Sequence, residues 1–242
     1  MVYDVIFAPQ IFCGAFLFFG GMAMNKQKVA GNKQLVVLAL VCALAYVSVT
    51  FFRVPVVLFL SYEPKDCLLA IAGLLYGPIP ALIVSVTVSL LEMVTISSTG
   101  IIGMVMNVLS SALFVCPAAW IYQRKRTLND AILGLAAGTI LMSGGMVLWN
   151  WLITPLYMGI PRQAVVELLL PAFLPFNLLK ASLNATLTVL LYKSVVTALR
   201  KAHLVPERET VTSASSKKKI WLIGAAVLAV LVTALVLWRL IP

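Results

Sequence analysis

The chain has 242 residues, of which 62% are hydrophobic and only 11% are charged, and its formal net charge is +10. Soluble domains carry roughly 25% charged residues, so this composition excludes an ordinary water-soluble domain. Several uncharged runs approach the ~20 residues that a membrane-spanning helix needs. The alternating pattern of a membrane β-barrel is absent. The composition therefore predicts an all-α integral membrane protein.

The positive charges are concentrated in three short regions. Three Lys lie in 26–33, three Lys or Arg in 124–126, and seven in 193–219. Basic residues beside membrane spans mark the cytoplasmic side. Because they flank the spans instead of covering one surface, we do not expect the protein to bind nucleic acid.

The first apolar run, 5–23, has three interpretations. It could span the membrane, or it could be a signal peptide, although no basic residue precedes it. Alternatively, the natural start is Met24, because the following MNKQK is typical of a cytoplasmic N-terminus. We favour the third interpretation and treat 1–24 as a segment separate from the membrane domain that we assign to 25–199.

Residues 35–52 are predicted to form the first span, and 53–66 a structured loop, since prolines and charges interrupt that stretch. The apolar run 67–95 is broken at YGPIP, residues 76–80. Gly and Pro there should end one helix and begin another. Two crossings also place the basic regions 26–33 and 124–126 on the same side of the membrane, as the positive-inside rule requires.

Further spans are predicted at 100–122, 131–153 and 168–192, with an external loop at 154–167. A polar linker, 200–219, then leads to an uncharged run that we assign as an additional membrane helix within 220–240. The predicted architecture is thus a six-helix core with an extra C-terminal helix and a possible N-terminal one.

Polar side chains inside the last core span point to a binding site. Asn177, Lys180 and Asn184 have spacings i, i+3 and i+7, so they share one helix face. An unpaired lysine in the membrane costs several kcal/mol. Pro171 and Pro175 should delay the regular helix, which places Lys180 in the outer half of the span. We therefore expect this face to line a water-accessible ligand pocket.

Asn150 and Asn107 lie in the corresponding halves of two other spans. Each could instead join neighbouring helices, as buried amides often do. Together with the polar face of the last span, they favour a single polar cavity. Amides donate and accept hydrogen bonds, which suits a heteroaromatic ligand with carbonyls and ring nitrogens. Candidate aromatic groups for stacking are Tyr62, Trp149, Trp151, Phe173 and Phe176.

Glu92 has three possible environments: external water, an ion pair with Lys180, or an ion pair with Lys65. Neither a catalytic site nor a metal or cofactor site is predicted. The single histidine, His203, lies in the polar tail, and the sequence contains no P-loop, HExxH or GxSxG pattern.

Four segments carry a family resemblance. They are AGLLYGP at 72–78, the stretch 98–128, LWNWLITPLYMG at 148–159, and LPFNLLKASL at 174–183. With these segments, the chain from about residue 30 to 200 resembles the substrate-binding S component of energy-coupling factor (ECF) vitamin transporters, and within that family its riboflavin-binding branch.

The resemblance implies a bacterial plasma-membrane protein whose six core helices have both ends in the cytoplasm. It implies a riboflavin pocket near the outer face, capped by the loop after the first helix. It also implies a transmembrane T component and two ATP-hydrolysing subunits as partners. The implied ligand-binding residues are Leu60, Tyr62, Glu63, Asn150, Asn177 and Lys180, to which the cavity argument adds Asn107 and Trp149.

Ala39 and Ala43 form an AxxxA pair that matches the family's surface for docking on the T component. Two segments depart from the family pattern. The loop reads SYEPKDC, and the third helix carries Glu92 where the family commonly has a basic residue. Alternatives are an S component for another small vitamin or nucleobase-like compound, or a proton-coupled carrier that uses Glu92 and Lys180.

Overall fold

The computed structural model describes residues 32–57, 60–97 and 99–204, and the single position 224. The predictions for 1–24, for the linker beyond residue 204 and for the helix within 220–240 lie outside the described residues. The described part is helical apart from one short hairpin, so the all-α fold class is confirmed.

The described core consists of helices and one short hairpin. The elements in chain order are α1 (Asn32–Phe52), β1 (Val54–Val57), β2 (Leu60–Tyr62), α2 (Lys65–Tyr76), α3 (Pro78–Thr95), α4 (Gly100–Lys125), α5 (Leu128–Met158), α6 (Arg162–Leu168), a π-helical turn (Leu169–Phe173) and α7 (Leu174–Lys201). Five helical segments are long and apolar enough to cross a membrane, with Arg162–Lys201 acting as one continuous segment. Helix α2 has only 12 residues and is not one of these five segments.

The predicted break inside 67–95 is confirmed. Gly77 separates α2 from α3 with a φ of 105°, which favours glycine because it lacks a Cβ. Pro78 follows as the first residue of α3, where its missing N–H costs no helical hydrogen bond.

The basic regions meet at one end of the helix bundle. The Nζ atom of Lys33, at the start of α1, donates to the backbone carbonyl of His203, just after α7, at 3.1 Å. The hydroxyl groups of Tyr122 and Tyr192 lie 2.7 Å apart and join the last turns of α4 to α7. We call this the basic end. Its composition agrees with the even number of crossings predicted from the charges.

The tightest helix pair is α4 with α5, which approach through small residues. A Cβ atom added to Gly138 would lie 2.3 Å from the backbone oxygen of Phe114, and one on Gly134 would lie 2.7 Å from that of Ala118. Small residues allow this approach of two backbones in a membrane protein, where close packing replaces the hydrophobic effect as the force between helices.

The segment between α1 and α2 is a β-hairpin, a form that its sequence did not reveal. Val54 pairs with Tyr62 and Pro55 with Ser61, and the register shifts before Val57 pairs with Leu60. The hairpin rests on a small apolar cluster formed by Leu60, Val165, Phe173 and Phe176. This cluster attaches the hairpin to the start of α7.

The predicted external loop at 154–167 is wrong in its extent. Helix α5 continues through Pro155 to Met158, and α6 begins at Arg162, so only three residues connect them. Proline removes one helical hydrogen bond, but neighbouring helices can offset that loss in a membrane protein. The segment before the last helix is helical and not a delayed start: a π-helical turn that contains Pro171 joins α6 to α7, and regular α-helix resumes at Leu174.

Candidate ligand-binding site

A cavity opens between the hairpin and the helices at the end of the bundle opposite the basic end. The space between its walls, which includes open solvent at the mouth, is about 430 Å³. Its lining comprises Arg53, Leu60, Ser61, Thr99, Met106, Asn107, Ser110, Met146, Phe176, Asn177 and Lys180. The residues come from the end of α1, the hairpin, the start of α4, the middle of α5 and the start of α7.

Two amide side chains in the lining have their N–H groups already engaged. Nδ2 of Asn177 donates to the backbone oxygen of Phe173 at 2.7 Å, and Nδ2 of Asn107 donates to Oε1 of Glu92 at 3.1 Å. Neither carbonyl oxygen has a hydrogen-bond donor among the described residues. A carbonyl oxygen of this kind accepts a hydrogen bond from an N–H or O–H group, so the walls offer two acceptors to a ligand.

Six charged side chains gather beside the cavity, and we call them the buried charge cluster: Arg53, Glu63, Lys65, Asp66, Glu92 and Lys180. Three are positive and three are negative, so the cluster is formally neutral. All except Arg53 are buried. Burying charges is strongly unfavourable unless they are paired, and here every member has an opposite charge within 4 Å.

Lys65 lies at the centre of the cluster. Its Nζ atom is 2.5 Å from Oε2 of Glu92 and 2.9 Å from Oε2 of Glu63. Arg53 closes the other side, with Nε 3.5 Å from Oε1 of Glu63 and a terminal nitrogen 3.9 Å from Oε1 of Glu92. Among the three environments considered for Glu92, the ion pair with Lys65 is confirmed.

Lys180 is held differently from the other two cations. Its Nζ atom lies 3.8 Å from Oδ2 of Asp66, beyond hydrogen-bond range, while Oδ1 of Asp66 accepts a hydrogen bond of 2.5 Å from Ser111. Lys180 thus has a compensating charge nearby and retains N–H groups that can bind a ligand in the cavity.

The pKa of the Glu63 carboxyl group is lower than its ordinary value. Burial by itself would raise the pKa of Glu63, but the Lys65 ammonium group, helped by Lys180 and Arg53, lowers it to about 2. Glu63 is therefore ionised throughout the physiological range, and the hairpin end stays paired with Lys65. Burial raises the pKa of the Tyr62 hydroxyl above its ordinary value, so this group remains a neutral donor.

The structure gathers four of the predicted ligand-binding residues in the cavity wall: Leu60, Asn107, Asn177 and Lys180. Tyr62 and Glu63 lie at the end of the hairpin that covers the cavity, outside its lining.

The remaining two predicted residues, Asn150 and Trp149, do not line the cavity. Asn150 is fully buried, and its amide donates to the carbonyl of Met146 and accepts from Thr154 within α5. Trp149 packs half-buried against the main core. Their role in ligand binding stays a prediction.

The sequence pointed to the loop acids Glu63 and Asp66 as part of the polar set, but not to Arg53 and Ser111. Arg53 lies at the start of the predicted loop 53–66, and the only signal in the sequence is that its charge is opposite to those of Glu63 and Glu92. Ser111 carries no signal in the sequence, since an isolated serine is common in membrane helices and its contact with Asp66 spans 45 positions.

The AxxxA pair lies on the outside of α1. Ala39 and Ala43 are exposed, whereas Val37, Val41 and Ala45 on the same helix face the core. The geometry leaves the pair accessible to another membrane helix, and its contact with a T component stays a prediction.

Comparisons with known proteins give a consistent result. Residues 33–192 match the model of a protein family described as "ECF transporter, substrate-specific component". The riboflavin transporter RibU of Staphylococcus aureus (strain TCH60) is 27% identical over 191 residues, covering 75% of this chain and 98% of RibU. The riboflavin transporter FmnP of Bacillus subtilis (strain 168) is 25% identical over 188 residues, covering 71% of this chain and 98% of FmnP.

The fold also matches a solved structure of the S component of a bacterial ECF transporter. The TM-score is 0.60 at 27% sequence identity, and the match covers 69% of this chain and 98% of the other. The family match extends over about two thirds of the chain and includes every element that lines the cavity. The protein is a multi-pass protein of the cell membrane, and it belongs to the family of ECF transporter substrate-specific components.

Proposed function

We propose that this chain captures riboflavin at the outer face of the membrane and delivers it inward as the S component of an ECF importer. The names of the relatives RibU and FmnP support this ligand. The observation that carries the proposal is the pair Asn177 and Lys180. These residues lie one turn apart in the cavity wall and present a carbonyl acceptor beside an ammonium donor.

That pair complements the polar edge of an isoalloxazine ring. The edge carries an N–H group flanked by carbonyl oxygens, so the N–H can donate to Asn177 while a neighbouring carbonyl accepts from Lys180. Apolar lining residues, Leu60, Met106, Met146 and Phe176, supply surfaces for the ring faces. A small number of placed polar groups in an otherwise apolar pocket is typical of specific ligand sites.

The hairpin forms the cap of this pocket. Leu60 and Ser61 contribute to the cavity wall, and the ion pairs of Glu63 and Lys65 hold the hairpin end against α3. A cap that excludes water strengthens every polar contact beneath it, because the local dielectric constant is lower. We infer that capture depends on the ordered hairpin and that release inward requires the hairpin to move.

The chain itself performs no covalent chemistry in this proposal. Its sequence contains no GxxxxGK[ST] pattern for ATP binding, so energy must come from partner subunits. The family supports a T component with two ATP-hydrolysing subunits as those partners. ATP hydrolysis there would drive release of the ligand on the cytoplasmic side by tilting the whole S component.

The test is direct binding. The chain is purified in detergent, and added riboflavin is titrated by the quenching of its own fluorescence. We expect one site per chain, and we expect Asn177→Ala and Lys180→Ala each to weaken binding about tenfold or more. A hydrogen bond to the charged Lys180 contributes about 1.5–3 kcal/mol, and loss of the neutral Asn177 acceptor leaves a buried ligand N–H unpaired at a cost of about 1–3 kcal/mol.

Ser182→Ala is the matched control, because Ser182 lies on the same helix but outside the cavity lining. Its riboflavin affinity should equal that of the wild type. Unchanged affinity in both pocket variants would refute the assignment of the pocket. A wild-type chain that neither releases a flavin on denaturation nor binds added riboflavin would refute the ligand.

A further inference from the structure

Glu92 joins three different parts of the site through its two carboxylate oxygens. It lies in the last turn of α3 and is 1% exposed. Oε2 accepts a hydrogen bond of 2.5 Å from Lys65, the first residue of α2. Oε1 accepts one of 3.1 Å from the amide of Asn107 in α4 and lies 3.9 Å from a guanidinium nitrogen of Arg53. One side chain thus contacts the segments before and after the hairpin and the cavity wall.

The contact with Asn107 sets the direction of that amide. An ionised carboxylate can only accept hydrogen bonds, so Asn107 must turn its NH₂ group toward Glu92. The carbonyl oxygen then lies on the opposite side of the amide plane, and Asn107 lines the cavity. A glutamine at position 92 could donate as well as accept, and either orientation of Asn107 would then be possible.

The contact with Lys65 removes one cation from the ligand's environment. The ammonium group of Lys65 is satisfied by Glu92 and Glu63, and Lys65 does not line the cavity. Lys180 remains as the buried cation in the wall, with its nearest carboxylate oxygen, Oδ2 of Asp66, at 3.8 Å. Glu92 therefore orients one acceptor in the cavity wall, the Asn107 carbonyl, and keeps one possible donor, the Lys65 ammonium group, away from the ligand.

We propose that Glu92 is a positioning residue for ligand capture, which presents the Asn107 carbonyl to a donor group of the ligand and ties the end of the capping hairpin to the same wall. This inference rests on the proposed function and names the group through which Glu92 acts. The ligand donor is a side-chain hydroxyl of a flavin, since the single ring N–H is assigned to Asn177.

A double-mutant cycle tests this inference. Riboflavin dissociation constants are measured for the wild type, Glu92→Gln, Asn107→Ala and the double variant. We expect Glu92→Gln to weaken binding about tenfold in the wild-type background. In the Asn107→Ala background the same change should have a clearly smaller effect, by at least about threefold, because residues that act through one another are not additive.

A purely structural role for Glu92 would produce equal fold-changes in both backgrounds, and that result would overturn the inference. If Glu92→Gln does not yield a monodisperse protein, the same cycle is measured with Glu92→Asp, whose shorter side chain keeps the charge but withdraws from Asn107. A wild type that fails to bind riboflavin would overturn the proposed function and this inference with it. Riboflavin binding by the wild type with additive variants would overturn this inference alone.

Discussion

The side-chain amide of Asn184 donates a hydrogen bond to the backbone carbonyl of Glu63 at 3.2 Å, across 121 positions of sequence. The Oδ1 atom of the same amide accepts from the backbone N–H of Cys67, also at 3.2 Å. Asn184 therefore holds both sides of the turn that leads from the hairpin into α2. This side chain from α7 determines where the cap of the cavity ends.

Replacing Asn184 should loosen the cap. Asn184→Leu leaves the buried carbonyl of Glu63 without this donor, which costs about 1–3 kcal/mol. The N–H of Cys67 loses its bond to Asn184 but keeps the one to the carbonyl of Pro64 at 3.2 Å. We expect a lower unfolding temperature in detergent and at least tenfold weaker riboflavin binding.

Thr186→Val is the control, since within the described part of the chain the Thr186 hydroxyl donates only to the carbonyl of Ser182 in its own helix. Equal losses in the two variants would contradict this role for Asn184.

Glu63 should make stability depend on pH in a defined direction. Its pKa is lowered from an ordinary value of 4.5 to about 2, chiefly because the attraction of Lys65 outweighs burial. A carboxyl group with a lowered pKa stabilises the fold above its ordinary pKa, and that contribution is lost as the pH falls toward the folded value.

We therefore expect the difference in unfolding temperature between the wild type and Glu63→Gln to stay constant from about pH 8 to about pH 5 and to shrink below about pH 4.5. Glu167→Gln, at an exposed position of α6, should differ little from the wild type throughout. A difference for Glu63→Gln that grows as the pH falls would show that the carboxylate is not stabilised by its neighbours.

The interface of α4 and α5 should tolerate no added methyl group at Gly138. A Cβ there would meet the backbone oxygen of Phe114 at 2.3 Å, so the helices must separate. We expect Gly138→Ala to lower the free energy of unfolding by about 1–3 kcal/mol. Gly144→Ala, on the same helix, meets nothing within 4 Å and should be neutral or slightly stabilising. Thermal unfolding in detergent would measure the stability of both variants. Equal unfolding temperatures for Gly138→Ala and Gly144→Ala would exclude close packing at Gly138.

Large side chains on the exposed face of α1 should separate binding from transport. Ala39→Trp and Ala43→Trp extend into the membrane and away from the cavity, so riboflavin binding by the isolated chain should stay within about twofold of the wild type. Uptake in cells with the complete transporter should fall sharply if this face docks on the T component. Ala136→Trp, at an exposed position of α5, is the control and should transport normally. Normal uptake by both α1 variants would place the docking surface elsewhere.

Much of the architecture was predictable because membrane helices obey local rules. Hydrophobic length, the Gly77–Pro78 break and the positions of Lys and Arg were enough to predict six core helices with a common basic end. The helical spacing of Asn177 and Lys180 also predicted a shared face, and both line the cavity. These features depend on residues that are near one another in the chain.

The pairing of the charged residues was not predictable in the same way. The sequence allowed Glu92 to pair with Lys65 or Lys180, and the choice of Lys65 depends on how α2, α3 and the hairpin pack together. The partners of Asn150 and Asp66 were not predictable either. The amide of Asn150 donates to the carbonyl of Met146 within α5, and Asp66 accepts from Ser111, 45 positions away. Local spacing identifies which polar side chains lie in the membrane. Their partners follow from distances between helices, since a buried charge is stabilised only by the groups that the folded chain brings within a few ångströms of it.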